Sequence, residues 1–336
     1  MPERFVIRSR DADTGGDPAV GSPHASLLAE SAFAPLAPYV DDAVTDVFVN
    51  GADGLFVDRG QGAQAVPSWR ATEREVRDLA VALVALGGRH LDDQAPCVDV
   101  RLGAGVRVHA VLAPVSTGGT ALSIRIPRVH AADLDALGAL GTIEATQRAR
   151  LERLVAERAN ILITGGTGTG KTTLLSALLS CVPPGERIVT IEDVAELRPR
   201  HPHHVALEVR QANLEGAGGI GMARLVRESL RMRPDRLVVG ECRGEEVREL
   251  LTALNTGHDG GAGTMHASGL ADVPARLEAL GALAGMDAVA LARQAVSAFT
   301  VVLHLHREAD GTRRIAHVGR LVMSGERLGI EEVEPW

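Results

Sequence analysis

The chain has 336 residues, 45% hydrophobic but only 2% aromatic, with 35 basic against 43 acidic residues and a net charge of −8. Those figures suit about two aliphatic-cored domains and argue against a generic basic nucleic-acid binder or an aromatic platform for stacked single strands. Cys97, Cys181 and Cys242 form no C-x-x-C pair, so neither a zinc ribbon nor a disulfide framework is indicated, and no apolar run approaches the ~18 residues of a membrane span.

Residues 1–25 are rich in Asp, Gly, Ser and Pro and read as a flexible tail, unlike a signal peptide, so the protein is expected in the cytosol. Residues 26–127 read as a small N-terminal α+β domain. It opens with a helix over 26–40, then strands over 44–50 and 55–59 joined by Gly51-Ala52-Asp53-Gly54. Thr72 and Glu75 predict a capping-box helix over 72–86, ended by Gly87-Gly88. Alternating runs at 97–102, 106–112 and 121–126 are three more strands. Residues 128–142 carry Pro, Asp and Gly nearby and read as a linker.

From 143 to 336 short apolar runs alternate with helical patterns. A helix over 143–157 leads into a strand over 160–164; further strands fall at 187–191, 236–240 and 262–267. Helices are expected around Leu174, over 222–231 and over 245–255. Two more, over 271–283 and 288–298, precede a hairpin turning at Asp310-Gly311. Strand–helix alternation means an α/β domain with a parallel sheet.

The chain contains 34 arginines and one lysine, Lys171. It stands in Gly165-Gly166-Thr167-Gly168-Thr169-Gly170-Lys171-Thr172, with Thr173 next, which fits G-x-x-x-x-G-K-[ST] between a strand and a helix. A compact ammonium fits a tight cradle of backbone N–H groups where a planar guanidinium does not. The run Gly165 to Thr173 is therefore a candidate nucleoside triphosphate site, with Lys171 on the β- and γ-phosphates and Thr172 on Mg²⁺.

Hydrolysis also needs carboxylates and a group that answers the γ-phosphate. Glu192 follows an apolar strand, with Glu196 beyond, at the edge where open α/β sheets bind ligands. Glu192 is the candidate base that orients water; alternatively both acids cap the following turn. Glu241 ends Leu237-Val238-Val239-Gly240 and stands where an Asp is more usual, which suits action through metal-bound water. Asp235, before that strand, is a poor candidate. His266 ends the strand at 262–267 and is placed to bond the γ-phosphate; His258 is weaker. Arg101, Arg107, Arg125, Arg231 and Arg233 are candidate arginine fingers.

These strings resemble the type II/type IV secretion ATPase superfamily, and most of all its tight-adherence (CpaF/TadA-type) pilus assembly branch. The resemblance rests on GGTGTGKTTLL at 165–175, IVTIEDVAEL at 188–197, RESLRMRPDRLVVGECRG at 227–244, NTGHDGGAGTMHAS at 255–268 and PCVDVRLGAGVRVHAVLAP at 96–114. It implies a RecA-like P-loop core behind the smaller domain, and ATP and Mg²⁺ as cofactors. It implies a hexameric ring that drives an inner-membrane platform from the cytoplasmic face. By resemblance Lys171 and Thr172 are the Walker A pair, Glu192 and Glu196 the acidic box, Glu241 the Walker B acid and His266 the His-box histidine. Arg101, Arg107 and Arg125 match N-terminal-domain arginines that reach nucleotide. The four-cysteine zinc module of some branches is missing, and Gly260-Gly261-Ala262-Gly263 suggests a looser loop before the His box. A conjugative type IV secretion ATPase, serving DNA transfer, and a nucleotide-gated scaffold are the alternatives.

Overall fold

The computed structural model describes residues 23–127, 133–210 and 218–333, so most of the N-terminal tail and the first five residues of the linker lie outside the described residues. The chain divides at Val129 into two units, each with its own sheet.

The first unit begins with a short helix, α1 (Pro23–Leu28), and single 3-10 turns at Ser31–Phe33 and Ala37–Tyr39. The continuous helix expected over 26–40 does not form. Pro35 and Pro38 cannot donate to the preceding turn and their rings clash with it, so the backbone breaks while Leu27, Phe33 and Leu36 still reach the core. There follow β1 (Asp46–Asn50), β2 (Leu55–Asp58), β3 (Ala63–Ala65), α2 (Glu73–Leu86), β4 (Cys97–Arg101), β5 (Arg107–Val111) and β6 (Ala121–Arg125). The capping box is present: Thr72 Oγ1 accepts from Glu75 N at 3.3 Å and Glu75 Oε2 accepts from Thr72 N at 2.7 Å. The strands form one antiparallel sheet in the order β3-β2-β1-β6-β5-β4. Its apolar face, with Val47, Val57, Val100, Val108 and Ile124, packs with Val76, Leu83 and Val84 of α2. Alternation sends the polar residues of each strand to the other face.

The second unit starts with α3 (Leu134–Ala139), which occupies part of the stretch read as linker; Asp133 caps it by accepting from Ala136 N at 2.8 Å. Then come α4 (Ala145–Ala156), β7 (Ile161–Gly165), α5 (Lys171–Ser180), β8 (Ile188–Glu192), β9 (His204–Glu208), α6 (Met222–Ser229), β10 (Arg236–Val239), α7 (Glu246–Leu254) and β11 (Ala262–His266). The chain ends in α8 (Val273–Leu283), α9 (Ala288–Ala298), β12 (Val301–Arg307), β13 (Arg313–Ser324) and β14 (Arg327–Val333). The sheet order is β14-β13-β12-β7-β11-β10-β8-β9, with β12 through β9 parallel and β13 and β14 antiparallel at one edge.

Every residue of β7, β8 and β10 is buried, as a sheet covered on both faces requires. Leu162, Val189, Ile191, Leu237 and Val239 pack with α6 to α9. Ile161, Ile163, Ile188 and Val238 face the opposite way, with α3 to α5. Edge strands β9 and β14 had no sequence signal, because both are half-exposed and polar. The glycine run before the His box is tight, contrary to expectation: a Cβ at Gly260 would lie 2.1 Å from Arg236 Nη1, and one at Gly261 would lie 2.8 Å from Leu237 O.

Candidate active site

Parallel pairing decides which side chains meet. His266 is in register with Gly165, and Val239 pairs with both Ile191 and Gly263. The glycine loop after β7, His266, Glu241 and Glu192 therefore all leave the sheet at its C-terminal edge, where open α/β sheets bind ligands. Glycine is required at the start of the loop: Gly165 has φ +149°, and a Cβ there would lie 2.5 Å from Leu305 O and 2.7 Å from Thr169 Oγ1. The loop closes when Thr169 Oγ1 donates to Gly166 O at 3.0 Å, and α5 then begins at Lys171.

Lys171 is buried, and burial lowers its pKa against the opposing pull of Glu241. Its Nζ donates to Gly165 O at 3.0 Å and Gly166 O at 2.8 Å and lies 3.4 Å from His266 Nδ1. A buried ammonium held by neutral acceptors at a helix N-terminus is short of negative charge. Phosphate oxygens would supply it.

The pKa of His266 is lowered, first by burial and then by Lys171, against the opposing pull of Glu241. With Nδ1 receiving from the ammonium, the ring proton sits on Nε2, which lies 2.8 Å from Glu241 Oε1, a buried oxygen with no hydrogen-bond partner among the described residues. The other Glu241 oxygen, Oε2, accepts from Arg243 Nη2 at 2.5 Å. Arg243 Nη1 lies 3.6 Å from Asp193. Loop, His266, Glu241 and the Asp193 turn thus form one continuous polar chain. Arg243 was overlooked in the sequence; its signal is the acid-x-Arg spacing on extended backbone, which puts both side chains on one side.

Glu192 is 5% exposed, and burial pushes its pKa up to about 7. Its Oε1 accepts from Glu196 N at 3.1 Å and Leu197 N at 3.2 Å. A Cβ on Gly240 would lie 2.4 Å from Glu192 Cγ, so glycine gives the carboxyl its room beside β10. Both sequence readings of Glu192 meet here: it caps the turn, and it titrates where a general base works best. Glu196 contributes its backbone N–H to Glu192, and its side chain is half-buried.

Asp235 lies at the opposite edge, accepting from Arg187 N at 2.7 Å. His258 Nδ1 lies 3.3 Å from Ala253 O, in the turn after α7. Arg231 pairs with Glu228 at 3.3 Å on an exposed face. The first unit brings Arg101, Arg107 and Arg125 together. Strand register sets them side by side across β4, β5 and β6, and Asp46 and Asp58 continue the same row. Like charges directly opposite on a sheet repel.

The residues of the second unit also fit Mg²⁺ as a phosphate-bound ion. Among the described residues no three His, Cys, Asp or Glu side chains cluster as an all-protein metal cage. The Thr172 hydroxyl makes no hydrogen bond among them. Mg²⁺ keeps several waters and takes few protein ligands when substrate phosphates share it. Glu241 Oε2 is held by Arg243, and its buried Oε1, which makes no hydrogen bond among the described residues, would reach such an ion through water.

The family model described as Type II/IV secretion system protein matches residues 29–324. A Mycobacterium tuberculosis (strain CDC 1551 / Oshkosh) protein named for conjugal transfer is 50% identical over 301 residues, spanning 88% of this chain and 85% of its own length. The conjugal transfer protein TrbB of Rhizobium radiobacter is 31% identical over 287 residues, spanning 83% of this chain and 85% of its own. The crystal structure of the pilus retraction motor PilT with bound ADP aligns with a TM-score of 0.60 at 18% identity, over 91% of this chain and 83% of that one. That likeness speaks to the fold: α/β, with a RecA-like core.

Proposed function

The chain belongs to the type II/IV secretion system protein family, and from that premise we propose that it is an ATP-hydrolysing, Mg²⁺-dependent motor. The observation that supports this most is the chain's only lysine, buried in a glycine loop and linked through His266 to Glu241. In this reading Gly165 to Thr173 cradle the polyphosphate, and Lys171 exchanges its carbonyl partners for β- and γ-oxygens. Thr172, with Glu241 through water, would hold Mg²⁺, which when bound would offset charge on the phosphate oxygens. Glu192 orients a water and accepts its proton as the oxygen attacks the γ-phosphorus; the bond to the β–γ bridging oxygen breaks and ADP leaves. His266 donates to the γ-phosphate and, on its loss, returns to Glu241. One of Arg101, Arg107 and Arg125 supplies the finger cation.

The cargo reading has two branches. The motifs resemble tight-adherence pilus assembly ATPases, which makes pilin or secreted protein the load. The relatives named for conjugal transfer favour the conjugative branch instead. In either, the protein works as a homo-oligomer, a hexameric ring, on inner-membrane platform partners. Among the described residues no helix is long and apolar enough to cross a membrane, so attachment runs through those partners. The test is steady-state ATPase activity with Mg²⁺, with EDTA and with single-stranded DNA. Activity lost in EDTA and indifferent to DNA supports a protein-directed motor; strong DNA stimulation moves the reading to a nucleic-acid motor, and no activity under any condition leaves the scaffold. Analytical ultracentrifugation with ATP and Mg²⁺ is expected to give a hexamer, and a strict monomer would contradict the ring.

A further inference from the structure

Internal hydrogen bonds close the phosphate loop through the carbonyls of Gly165 and Gly166, but among the described residues none of them holds the carbonyl of Gly168. Thr169 sits between Gly168, φ +73°, and Gly170, φ +94°. Peptides beside glycine rotate at little steric cost, so the direction of the Thr169 N–H is not set by the loop itself. That N–H makes no hydrogen bond among the described residues, and it is one of the donors a phosphate needs.

What fixes it comes from far away in sequence. Arg313, the exposed first residue of β13, donates from Nε to Gly168 O at 2.8 Å across a separation of 145 residues. Its stem also covers Gly170, where an added Cβ would come within 3.3 Å of Arg313 Cδ. In a planar trans peptide the carbonyl and the next N–H point in opposite directions. A Gly168 carbonyl held by Arg313 therefore turns the Thr169 N–H away from the guanidinium. The carbonyls of Gly165 and Gly166 face the opposite way in function: they accept from buried Lys171 Nζ, the ammonium that marks the inside of the cradle.

We infer that Arg313 is a positioning residue for the phosphate loop: by gripping the Gly168 carbonyl from outside, it presents the Thr169 N–H to a bound triphosphate. The inference rests on the nucleotide reading of this site. It places part of the loop's affinity in the β12–β13 hairpin, outside every nucleotide motif of the chain. Arginine suits the task, because its planar donor loses less freedom per hydrogen bond than an ammonium on a flexible stem.

The test uses the full-length protein and three readouts. Arg313→Met should weaken equilibrium binding of Mg·ATP roughly tenfold, about 1.4 kcal/mol, and raise KM by a similar factor. It should leave kcat within about twofold, since the grip shapes the cradle and not the attacking water. Arg313→Lys, which keeps a donor, should recover most of the affinity. Without nucleotide, amide hydrogen exchange over 165–170 should quicken in Arg313→Met while the melting temperature stays put. Wild-type affinity and wild-type loop exchange in Arg313→Met would overturn the inference. So would a fall in kcat at unchanged affinity, or a lysine variant as weak as the methionine one. Failure of the parent reading looks different: the wild-type protein would bind no Mg·ATP, while the loop exchange of Arg313→Met would still report on the grip.

Discussion

The two ends of the eight-stranded sheet both bury charge, and they do so for opposite purposes. At the N-terminal end of β10, Arg236 is 2% exposed, with Nε on Glu186 at 2.6 Å and Nη2 on Val155 O at 2.9 Å. Arg158 joins the same carboxylate at 2.9 Å and donates to Asp235 O at 2.6 Å. Each charge there has an opposite charge or a carbonyl, which is what a buried ion network needs to be tolerated. At the C-terminal end the groups are kept uncomfortable. Burial depresses Lys171 and His266 and raises Glu192. Perturbed groups at a sheet edge mark a working site; satisfied ones mark architecture.

That contrast is sharpest in what a single deletion does. Lys171→Ala is expected to remove tight ATP binding and lower hydrolysis on the order of 10²–10³-fold or more, while the thermal midpoint without nucleotide holds or rises because a buried cation is gone. Isothermal titration and a melting curve check both halves. Next, Glu192→Gln is expected to keep ATP bound and slow kcat on the order of 10²-fold or more. The wild-type rate should rise with pH through a midpoint near 7, where Glu192 ionises, and the variant should lose that limb. Unchanged turnover would move the base to Glu196 or Glu241. At the other end, Arg236→Met should cost about 3 kcal/mol of unfolding free energy, because it strips Glu186 of its most buried partner. Its affinity for ATP should match the wild type; a large affinity loss would erase the division between the two ends.

Most of the phosphate-side edge was legible because its signals are local. An apolar strand, a glycine run and a helix are contiguous from Ile161 to Ser180, and Glu192, Glu241 and His266 each end a buried run. What escaped is long-range or weak. The Arg313 contact spans 145 residues, and the Arg236 partners Glu186 and Val155 lie 50 and 81 residues away, so no window contains either. Strand β9 leaves no pattern because a half-exposed edge strand need not alternate strictly. The helix over 26–40 was over-read because apolar spacing survives in broken turns, while two prolines forbid the hydrogen bonds. Glycine richness before His266 pointed to looseness, whereas the glycines make room for Arg236 and Leu237.

The pH dependence of stability tests the contrast as well. Glu192 has a folded pKa of about 7 against an ordinary value of 4.5. Between those values the folded protein binds a proton that the unfolded chain does not, so this contribution to stability is fully present below about pH 4.5 and lost as pH rises through about 7. His204, held down to about 4 by burial, works in the other sense: below its ordinary 6.5 the unfolded chain takes up the proton, and stability falls with pH. The two trends overlap in a wild-type titration. Glu192→Gln separates them, since His204 is common to both proteins. The stability of the wild type relative to the variant should drop by about 2 kcal/mol from pH 5 to pH 8, as read by urea unfolding at each pH. A flat difference would mean that Glu192 ionises as freely as a surface acid, and the strained edge of the sheet would lose its central carboxylate.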